Sequence, residues 1–438
     1  MLQRLDLRGR DLGARTADTR ALLPRPDVAG DAPTAAVREI VADVRSRGDA
    51  ALRDLTRRFD GCDLVSARVP PEEVAAALAA CPSSLRASIE AAADNIRSFH
   101  QSQITAPHTY VRDGLVIEAR HQPVDRAGLY VPGGRAAYPS TVLMTAIPAR
   151  VAGVAEVVLC VPPGADGRVP VVTLAAAAVA GVDEVYAVGG AQAIAAMAYG
   201  TATIRPVDVI AGPGNVFVAI AKREVAGVVG VPSAFAGPSE IVVIADHTTP
   251  PALAAVDVIV QAEHGPHGLA WLVTWSEKAA DEICAEVARQ VSTAPRRADI
   301  EATLAAGGWC ALVDTQRDAI IVANAIAPEH LQLMNAEPST LLPFVRHAGA
   351  VFCGPLSPAS IGDYMAGPSH VLPTDGTARF AGALTTRDFQ KDIHVITLDQ
   401  RAFERLGPDV VELAEAEGLD AHADSIRRRV DWLAAGAS

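Results

Sequence analysis

The sequence of 438 residues lacks the long apolar run that a membrane-spanning helix needs. A bilayer requires about 20 consecutive apolar residues, and the longest stretches here, such as residues 169–182, are shorter and rich in alanine. The N-terminal residues 1–20 alternate charged and apolar side chains, without the apolar core of a secretory signal. We therefore predict no membrane partner and no export.

Paired cysteines are also absent. The sequence has six cysteines, none in a CxxC pair: Cys62, Cys81, Cys160, Cys284, Cys310 and Cys353. This scatter argues against a disulfide framework and against a zinc site built from thiolates. Reduced, mostly buried thiols are typical of a cytoplasmic protein, which is the location that we predict.

An excess of basic residues is missing as well. Lys and Arg number 38 against 51 Asp and Glu, which gives a formal net charge of −13. An acidic chain lacks the electrostatic footprint of a general nucleic-acid binder. We therefore predict no nucleic-acid partner, while the total charge says nothing about a small-molecule substrate.

The chain contains neither the G-x-G-x-x-G fingerprint nor a P-loop. Four glycine turns nevertheless adjoin strand-like runs: YVPGG (130–134), VGGAQAI (188–194), AGPGN (211–215) and AGPSE (236–240). We expect them at the carboxyl-end crevice, where open α/β sheets bind ligands. By themselves they are compatible with a phosphate or a nucleotide and specify nothing further.

What the chain does contain is a regular alternation of β-branched runs and alanine-rich helical segments. The runs at 156–161, 184–190, 241–246 and 269–274 are strand-like and apolar on both faces. Such strands, with helices between them, are typical of parallel sheets built from β-α-β units. We therefore predict the α/β fold class.

The alternation falls into two blocks, from about 129 to 235 and from about 236 to 353. The region 34–101 is helical by its apolar spacing of i, i+3, i+4 and i+7 from Val37, and we expect it to cover the second sheet. The predicted domains are an N-terminal arm (1–29), a discontinuous α/β domain (30–128 and 236–380), an inserted domain (129–235) and a C-terminal tail (381–438). The tail is too small for its own core and must pack on the body or on a partner chain.

The motif QAEHG ends the helical segment that follows Pro250. Gln261 and His264 are three residues apart, so on a helix they share one face. An amide oxygen and an imidazole together can hold a hard or borderline cation. The alternative is an ordinary helix end, with His264 at the dipole and Gly265 as the cap.

The motif PEHLQL places an acid and an imidazole side by side. Glu329 and His330 would not share a face of a regular helix or strand, but at the end of an element both can border one cleft. Such a pair suits general acid/base chemistry, because histidine titrates near neutral pH. The alternative is a polar helix start with Pro328 in the first turn.

The segment 354–374 is long, rich in proline and glycine, and carries Asp363 and His370. Its apolar content indicates that it is packed, which favours a functional loop over an exposed connection. In the tail, Glu417 and His422 flank a glycine between two helices, and that segment alone indicates only a helical hairpin.

Taken in order, nine segments resemble the histidinol dehydrogenase family: YVPGG, GGAQAI, GPGN followed by AK, AGPSE, QAEHG, PEHL, GDY, HVLPT and GLxxHA. The resemblance implies a zinc-dependent, NAD-linked enzyme that oxidises L-histidinol through L-histidinaldehyde to L-histidine with two NAD, closing histidine biosynthesis. It also implies two Rossmann-like domains, small terminal domains and a domain-swapped homodimer with one zinc per subunit.

Matched motif by motif, the resemblance assigns roles to residues of this chain. The zinc ligands would be Gln261, His264, Asp363 and His422, and these would also contact the substrate. The catalytic pair would be Glu329 and His330, with His330 touching the substrate. The remaining residues would bind substrate (Ser239, His370 and Glu417) or NAD (Tyr130, Gln192 and Asn215).

The residue chemistry agrees with these roles. A base beside the carbinol must take its proton before hydride leaves, which suits His330, and water must add to the aldehyde, which suits Glu329. A zinc-dependent hydrolase with Glu329 as its base would use the same residues without a cofactor, and it is the alternative from another class. His422 lies far beyond Asp363 in the tail, so we predict that it reaches the site of the other subunit.

Overall fold

The computed structural model describes residues 1–13, 16–24, 33–133, 136–232, 239–264 and 268–436, with the side chain of His264 excepted. Within these ranges, no helix is both long enough and apolar enough to cross a membrane. Two of the predicted turns, YVPGG and AGPSE, and the glycine that follows His264 lie partly outside the described residues.

The described strands run in chain order as follows: β1 (Gln3–Asp6), β2 (Arg68–Val69), β3 (His108–Arg112), β4 (Leu115–Pro123), β5 (Arg126–Tyr130), β6 (Glu156–Val161), β7 (Glu184–Ala187), β8 (Val209–Ala211), β9 (Glu240–Ala245), β10 (Leu269–Thr274), β11 (Gly308–Leu312), β12 (His330–Leu333), β13 (Ala350–Cys353) and β14 (Gln390–Leu398).

The described α-helices are, in the same order: α1 (Thr16–Leu22), α2 (Thr34–Arg47), α3 (Asp49–Asp60), α4 (Pro71–Ala80), α5 (Ser83–Gln101), α6 (Pro139–Val151), α7 (Val171–Ala180), α8 (Gly190–Tyr199), α9 (Val216–Val225), α10 (Pro251–Val260), α11 (Glu277–Ser292), α12 (Arg297–Gly307), α13 (Gln316–Ile326), α14 (Pro338–Leu341), α15 (Ala359–Tyr364), α16 (Gln400–Ala416) and α17 (Asp420–Ala434).

One sheet has five strands in the order β2-β7-β6-β5-β8, parallel except for the edge strand β2. Its strands alternate between two buried faces, so that Leu159 packs with α4 to α7 while Cys160 packs with α2, α3, α8 and α9. Helices on both faces account for strands that are apolar throughout. This arrangement confirms the predicted α/β class.

The expectation that the helical region 34–101 covers the second sheet is wrong. Helices α2 and α3 pack on α8 and α9, and α4 and α5 pack on α6 and α7, so the region encloses the five-stranded sheet from both sides. The stripe that begins at Val37 is buried as predicted. An amphipathic stripe specifies that a helix buries one face but not which sheet receives it.

The second sheet has six parallel strands in the order β1-β11-β10-β9-β12-β13. Helices α10, α11 and α12 cover one face, and α13 covers the other together with residues near the N-terminus. The strand β1 comes from the segment expected to be an arm and adds an edge strand. The predicted strand at 269–274 coincides with β10.

The chain divides into two compact units. The first contains both parallel sheets and comprises Met1–Gln103 and Val124–Phe389. The second comprises Ile104–Pro123 and Gln390–Ser438, in which β14, β4 and β3 form an antiparallel sheet and α16 packs on α17. The tail therefore shares its sheet with an earlier part of the chain.

Leu159→Ala should destabilise the first unit. The Leu159 side chain in β6 is 0% exposed, and its truncation leaves a cavity, so we expect the free energy of unfolding to fall by about 2–5 kcal/mol. Denaturant unfolding measures this loss. Leu356→Ala is the matched control, since Leu356 is 90% exposed and its change should stay within about 0.5 kcal/mol. Equal losses in both variants would contradict the assignment of this core.

Candidate active site

The acid–imidazole pair predicted from PEHL lies at the start of a strand. Helix α13 ends at Ala327, whose φ of 53° turns the chain sharply, and β12 begins at His330. The alternative of a helix start at Pro328 is therefore wrong. In the parallel register, His330 lies opposite Ile241 and Ala350, near the beginnings of β9 and β13. The pair thus occupies the amino edge of the six-stranded sheet.

The backbone of one residue, Glu240, orients both members of the pair. The Glu240 N–H donates to Oε2 of Glu329 over 3.0 Å, and the Glu240 carbonyl oxygen lies 3.2 Å from Nδ1 of His330. A carbonyl oxygen can only accept, so the hydrogen of the neutral imidazole is on Nδ1. Nε2 is then the basic nitrogen, and it lies 3.5 Å from Oδ1 of Asp363.

The pair is almost completely buried, with Glu329 9% and His330 3% exposed. Burial raises the pKa of Glu329 to about 7, although the neighbouring imidazole and the Glu240 N–H oppose the shift. Burial alone would lower the pKa of His330, but two carboxylates, Glu329 at 3.6 Å and Asp363, outweigh it and raise that pKa. Both groups therefore titrate outside their ordinary ranges, as acid/base groups in active sites commonly do.

The segment 354–374 contacts this pair through Asp363, but the packing expected from its apolar content holds only in part: Val371 is buried, whereas Leu356 and Ile361 are exposed. Its short helix α15 carries Asp363, and the Nδ1 of His370 donates to the Asp363 carbonyl oxygen over 3.0 Å. The other ring nitrogen of His370 lies 3.1 Å from the Thr141 hydroxyl, at the beginning of α6. His370 thus joins the functional loop to the helix that follows β5 of the five-stranded sheet.

Gln261 lies at the end of α10, where the helix is followed by a 3₁₀ turn, Ala262–His264. Its side chain is 1% exposed, and neither its amide oxygen nor its amide nitrogen has a hydrogen-bond partner among the described residues. An unpartnered buried amide is costly unless a ligand satisfies it. The second residue of this motif, His264, is placed only by its backbone, and its side chain lies outside the described residues.

The other predicted substrate and metal residues are distributed between the two units. Ser239 immediately precedes Glu240, at the amino edge of the six-stranded sheet. Glu417 follows α16 and His422 lies in α17, both exposed, in the second unit. Within the described residues, no group of three or more His, Cys, Asp or Glu side chains is arranged to hold a metal ion.

A cavity of about 750 Å³ lies at the carboxyl edge of the five-stranded sheet. All three predicted NAD residues line it: Tyr130, Gln192 and Asn215. The Tyr130 hydroxyl accepts the Gly190 N–H over 3.1 Å, and the Asn215 side chain caps α9 by accepting the N–H of Val218. The first turns of α8 and α9 therefore border the cavity, and helix N-termini favour anions such as a pyrophosphate.

The expectation that all four glycine turns lie at carboxyl ends holds for three of them. The turns after β5, β7 and β8 do, and Gly212, with a φ of 110°, lies so close to the Tyr130 carbonyl oxygen that a Cβ would come within 2.1 Å. The turn at 236–240 precedes β9 and therefore belongs to the amino edge, so this part of the expectation is wrong. Residues 236–238 themselves are outside the described residues.

Two groups that build the site were not identified from the sequence. Glu240 acts through its backbone N–H and carbonyl oxygen, which almost every residue has, so its residue type gave no indication of this role. Thr141 is one of many threonines, and only its contact with His370 distinguishes it. The sequence indicates these two groups only by position. Glu240 directly follows Ser239, and Thr141 lies a few residues after YVPGG.

Fold and site together define a class of protein. The chain is an α/β protein with a glycine-lined cavity at the carboxyl edge of one parallel sheet and a buried acid/base pair at the amino edge of another. A cavity of this form suits a nucleotide, and the pair suits proton transfer to and from a small substrate. These features are those of a nucleotide-dependent enzyme.

The comparisons with known proteins identify the family. The family model for histidinol dehydrogenase matches residues 23–430, so the chain belongs to the histidinol dehydrogenase family. Members of this family are NAD-linked oxidoreductases that catalyse the last steps of histidine biosynthesis. This membership confirms the resemblance found in the sequence and gives no support to the hydrolase alternative.

Individual relatives agree over nearly the whole chain. The histidinol dehydrogenase of Geobacillus kaustophilus is 49% identical over 90% of this chain and 93% of its own length. That of Bacillus subtilis is 47% identical over 90% of this chain and 92% of its own length. The crystal structure of histidinol dehydrogenase from Elizabethkingia anophelis superposes with a TM-score of 0.92 at 33% identity, covering 99% of this chain and 98% of that one.

Proposed function

We propose that this chain oxidises L-histidinol to L-histidine through L-histidinaldehyde, using two NAD in succession. The observation that carries the proposal is the buried pair Glu329 and His330, oriented by the Glu240 backbone and facing Asp363, in a chain of this family. The pair supplies the three proton transfers that the four-electron oxidation needs: from the alcohol, from the attacking water and from the hydrate.

The first oxidation requires a base at the carbinol oxygen. His330 presents Nε2 to the site, because Nδ1 is held by the Glu240 carbonyl. In the neutral form, Nε2 removes the hydroxyl proton while the carbinol carbon transfers hydride to the nicotinamide. One alcohol and one NAD thus become one aldehyde, one NADH and one proton.

The second oxidation requires water, because an aldehyde has no hydroxyl hydrogen to lose. Burial keeps the pKa of Glu329 near 7, so near neutral pH its carboxylate can accept a proton from the attacking water. His330 then removes a proton from the hydrate as its carbon transfers a second hydride. One hydrate and one NAD become one carboxylic acid, one NADH and one proton.

The residues present fit a zinc ion, which the family implies. The Gln261 amide oxygen is a potential metal ligand without a hydrogen-bond partner among the described residues, and Asp363 on α15 supplies a carboxylate, the other oxygen ligand of the proposed set. We propose that Gln261 and Asp363 hold zinc together with His264 and His422. When bound, the ion would supply a positive charge that positions the substrate's imidazole and amine. Ser239, His370 and Glu417 are proposed as further substrate contacts.

The residues around the cavity fit NAD. Tyr130 supplies an aromatic wall, and burial raises the pKa of its phenol to about 12, so the ring stays neutral. Gln192 supplies an amide, and Asn215 positions the first turn of α9 for a pyrophosphate. Ala136 and Ala137 also line the cavity and lie just before α6, whose Thr141 contacts His370. Because α6 connects the cavity to His370, we propose that the nicotinamide lies at the end of the cavity nearest α6.

We further propose a domain-swapped homodimer in which the tail completes the partner's site. The second unit leaves large apolar side chains uncovered, including Leu413 (66% exposed) and Trp432 (56% exposed). Exposed apolar side chains of this size are typical of a surface that another chain covers. Two Rossmann-like domains and a cytoplasmic location remain part of the same proposal, but the predicted segment 30–128 does not stay with 236–380: its helices pack around the five-stranded sheet, and 104–123 joins the tail. The six free cysteines support the location.

Glu329→Gln should separate the two oxidations. The wild-type enzyme with excess NAD should form two NADH per histidinol, measured by absorbance at 340 nm. In the variant, an amide cannot take the proton of water, so the second oxidation should slow by about 10²–10⁴ and one NADH per histidinol should form first. Glu337→Gln, at an exposed site, is the control. A variant that still forms two NADH at the wild-type rate would contradict this role of Glu329.

Asp363→Ala should abolish zinc binding and substrate binding together. Removing the carboxylate takes away one ligand and leaves the Gln261 amide to hold the ion with fewer partners. Zinc content after dialysis and histidinol binding by calorimetry measure the two effects. Asp314→Ala, a loop carboxylate that accepts the Gly9 N–H, is the control for loss of charge. Normal histidinol binding by a metal-free variant would refute the positioning role proposed for zinc.

A mixture of two inactive variants should regain activity. His330→Ala and His422→Ala each remove one residue of the site. In a heterodimer with a shared site, one of the two sites receives both native residues, and the other receives neither. Tagged heterodimers purified from co-expression should therefore oxidise histidinol, whereas both homodimers should not. Verified heterodimers without activity would refute the shared site.

A further inference from the structure

The nucleotide cavity contains a carboxylate to which no motif assigned a role. We propose that Asp60 binds the adenosine ribose of NAD and thereby sets the preference for NAD over NADP. This inference rests on the proposed function for the identity of the cofactor. It supplies the acidic group that a dinucleotide site uses to read a ribose and that could not be located in the sequence.

Asp60 is the last residue of α3, and its position there is unfavourable for the helix. A negative charge at a helix C-terminus opposes the macrodipole, and acidic side chains are favoured at the other end. The next residue, Gly61, adopts a left-handed φ of 72° and ends the helix. A carboxylate that works against its own helix is more easily explained by a ligand than by stability.

The surroundings of Asp60 match one half of the cofactor. Asp60 lines the same cavity as Tyr130, Gln192 and Asn215. Its neighbour Phe59 also lines the cavity and is 50% exposed, so an apolar ring stands beside the carboxylate. An aromatic face next to a carboxylate suits a base and the ribose attached to it. Helix α3 packs on α2 and α8, on one face of the five-stranded sheet. Helix α6, whose Thr141 contacts His370 of the acid/base region, packs on the opposite face.

The Asp60 carboxylate can accept more hydrogen bonds than the described residues donate to it. Its Oδ2 is buried and has no hydrogen-bond partner among the described residues. Burial raises the pKa of Asp60 to about 6. A ribose diol offers two O–H donors to a single carboxylate, and one of them can satisfy the Oδ2 that has no donor among the described residues.

The same geometry disfavours NADP. Among the described lining residues, Asp60 is the one charged side chain, and no Lys or Arg is present to balance a 2′-phosphate. A phosphate placed on that hydroxyl would lie against a carboxylate and remove the hydrogen that the carboxylate accepts. The 2′-hydroxyl of the adenosine ribose is therefore the group that Asp60 is suited to recognise.

Calorimetric titration of the purified full-length enzyme with ADP-ribose and with 2′-phospho-ADP-ribose tests the proposal without turnover. Wild-type enzyme should prefer ADP-ribose. Asp60→Asn should weaken ADP-ribose binding by about ten- to a hundredfold, while binding of the 2′-phosphorylated ligand stays equal or improves. Asp60→Glu retains the charge and should keep the discrimination. Thermal unfolding should show Asp60→Asn to be no less stable than wild type, because the variant removes an opposed charge.

Asp63→Asn is the matched control, since Asp63 lies three residues further on, is exposed and pairs with Arg57. It should leave both affinities unchanged. Unaltered ADP-ribose binding by Asp60→Asn, or equal weakening of both ligands, would overturn the proposal while leaving the proposed function intact. Failure of the wild-type enzyme to bind either ligand would instead overturn the assignment of the cavity to NAD, and this inference with it.

Discussion

The arrangement of the site depends on the backbone of a single residue, Glu240. Its N–H holds the carboxylate of Glu329, and its carbonyl holds the imidazole of His330. Since Glu240 is the first residue of a central strand of the six-stranded sheet, the position of both groups is as rigid as that sheet. An acid–imidazole pair anchored to a strand in this way is already ordered before a substrate binds.

The two parallel sheets contribute opposite edges to the site. The five-stranded sheet offers its carboxyl edge, where glycine turns and two helix N-termini suit a nucleotide. The six-stranded sheet offers its amino edge, which carries the acid/base pair. His370 links the two, because its ring bonds Asp363 on one side and Thr141 on the other. The acid–imidazole pair and the helix that borders the cavity are thus connected through His370.

The sequence predicted the strands well and their helical coverage poorly. The run 156–161 coincides with β6, because residues apolar on both faces can be accommodated only inside a covered sheet. The stripe at Val37 was correctly predicted to be buried, yet it packs on the five-stranded sheet. A period of apolar residues reports burial, while the choice between two apolar sheets depends on chain connectivity over long distances.

By itself, the sequence determined the fold class and the family and predicted the side chains that we propose carry the chemistry, since these follow from periodicity and from motifs in a set order. Only the tertiary structure decided how those side chains are arranged. It placed Glu329 and His330 at the start of a strand, brought Asp363 to the imidazole and left the Gln261 amide without a partner among the described residues. The sequence has no apolar run long enough to cross a membrane. Its apolar residues are instead buried in two parallel sheets that helices cover. The hydrogen bonds and pKa values of these side chains depend on groups remote in sequence, such as Glu240 and Asp363 for His330, so no local pattern encodes them.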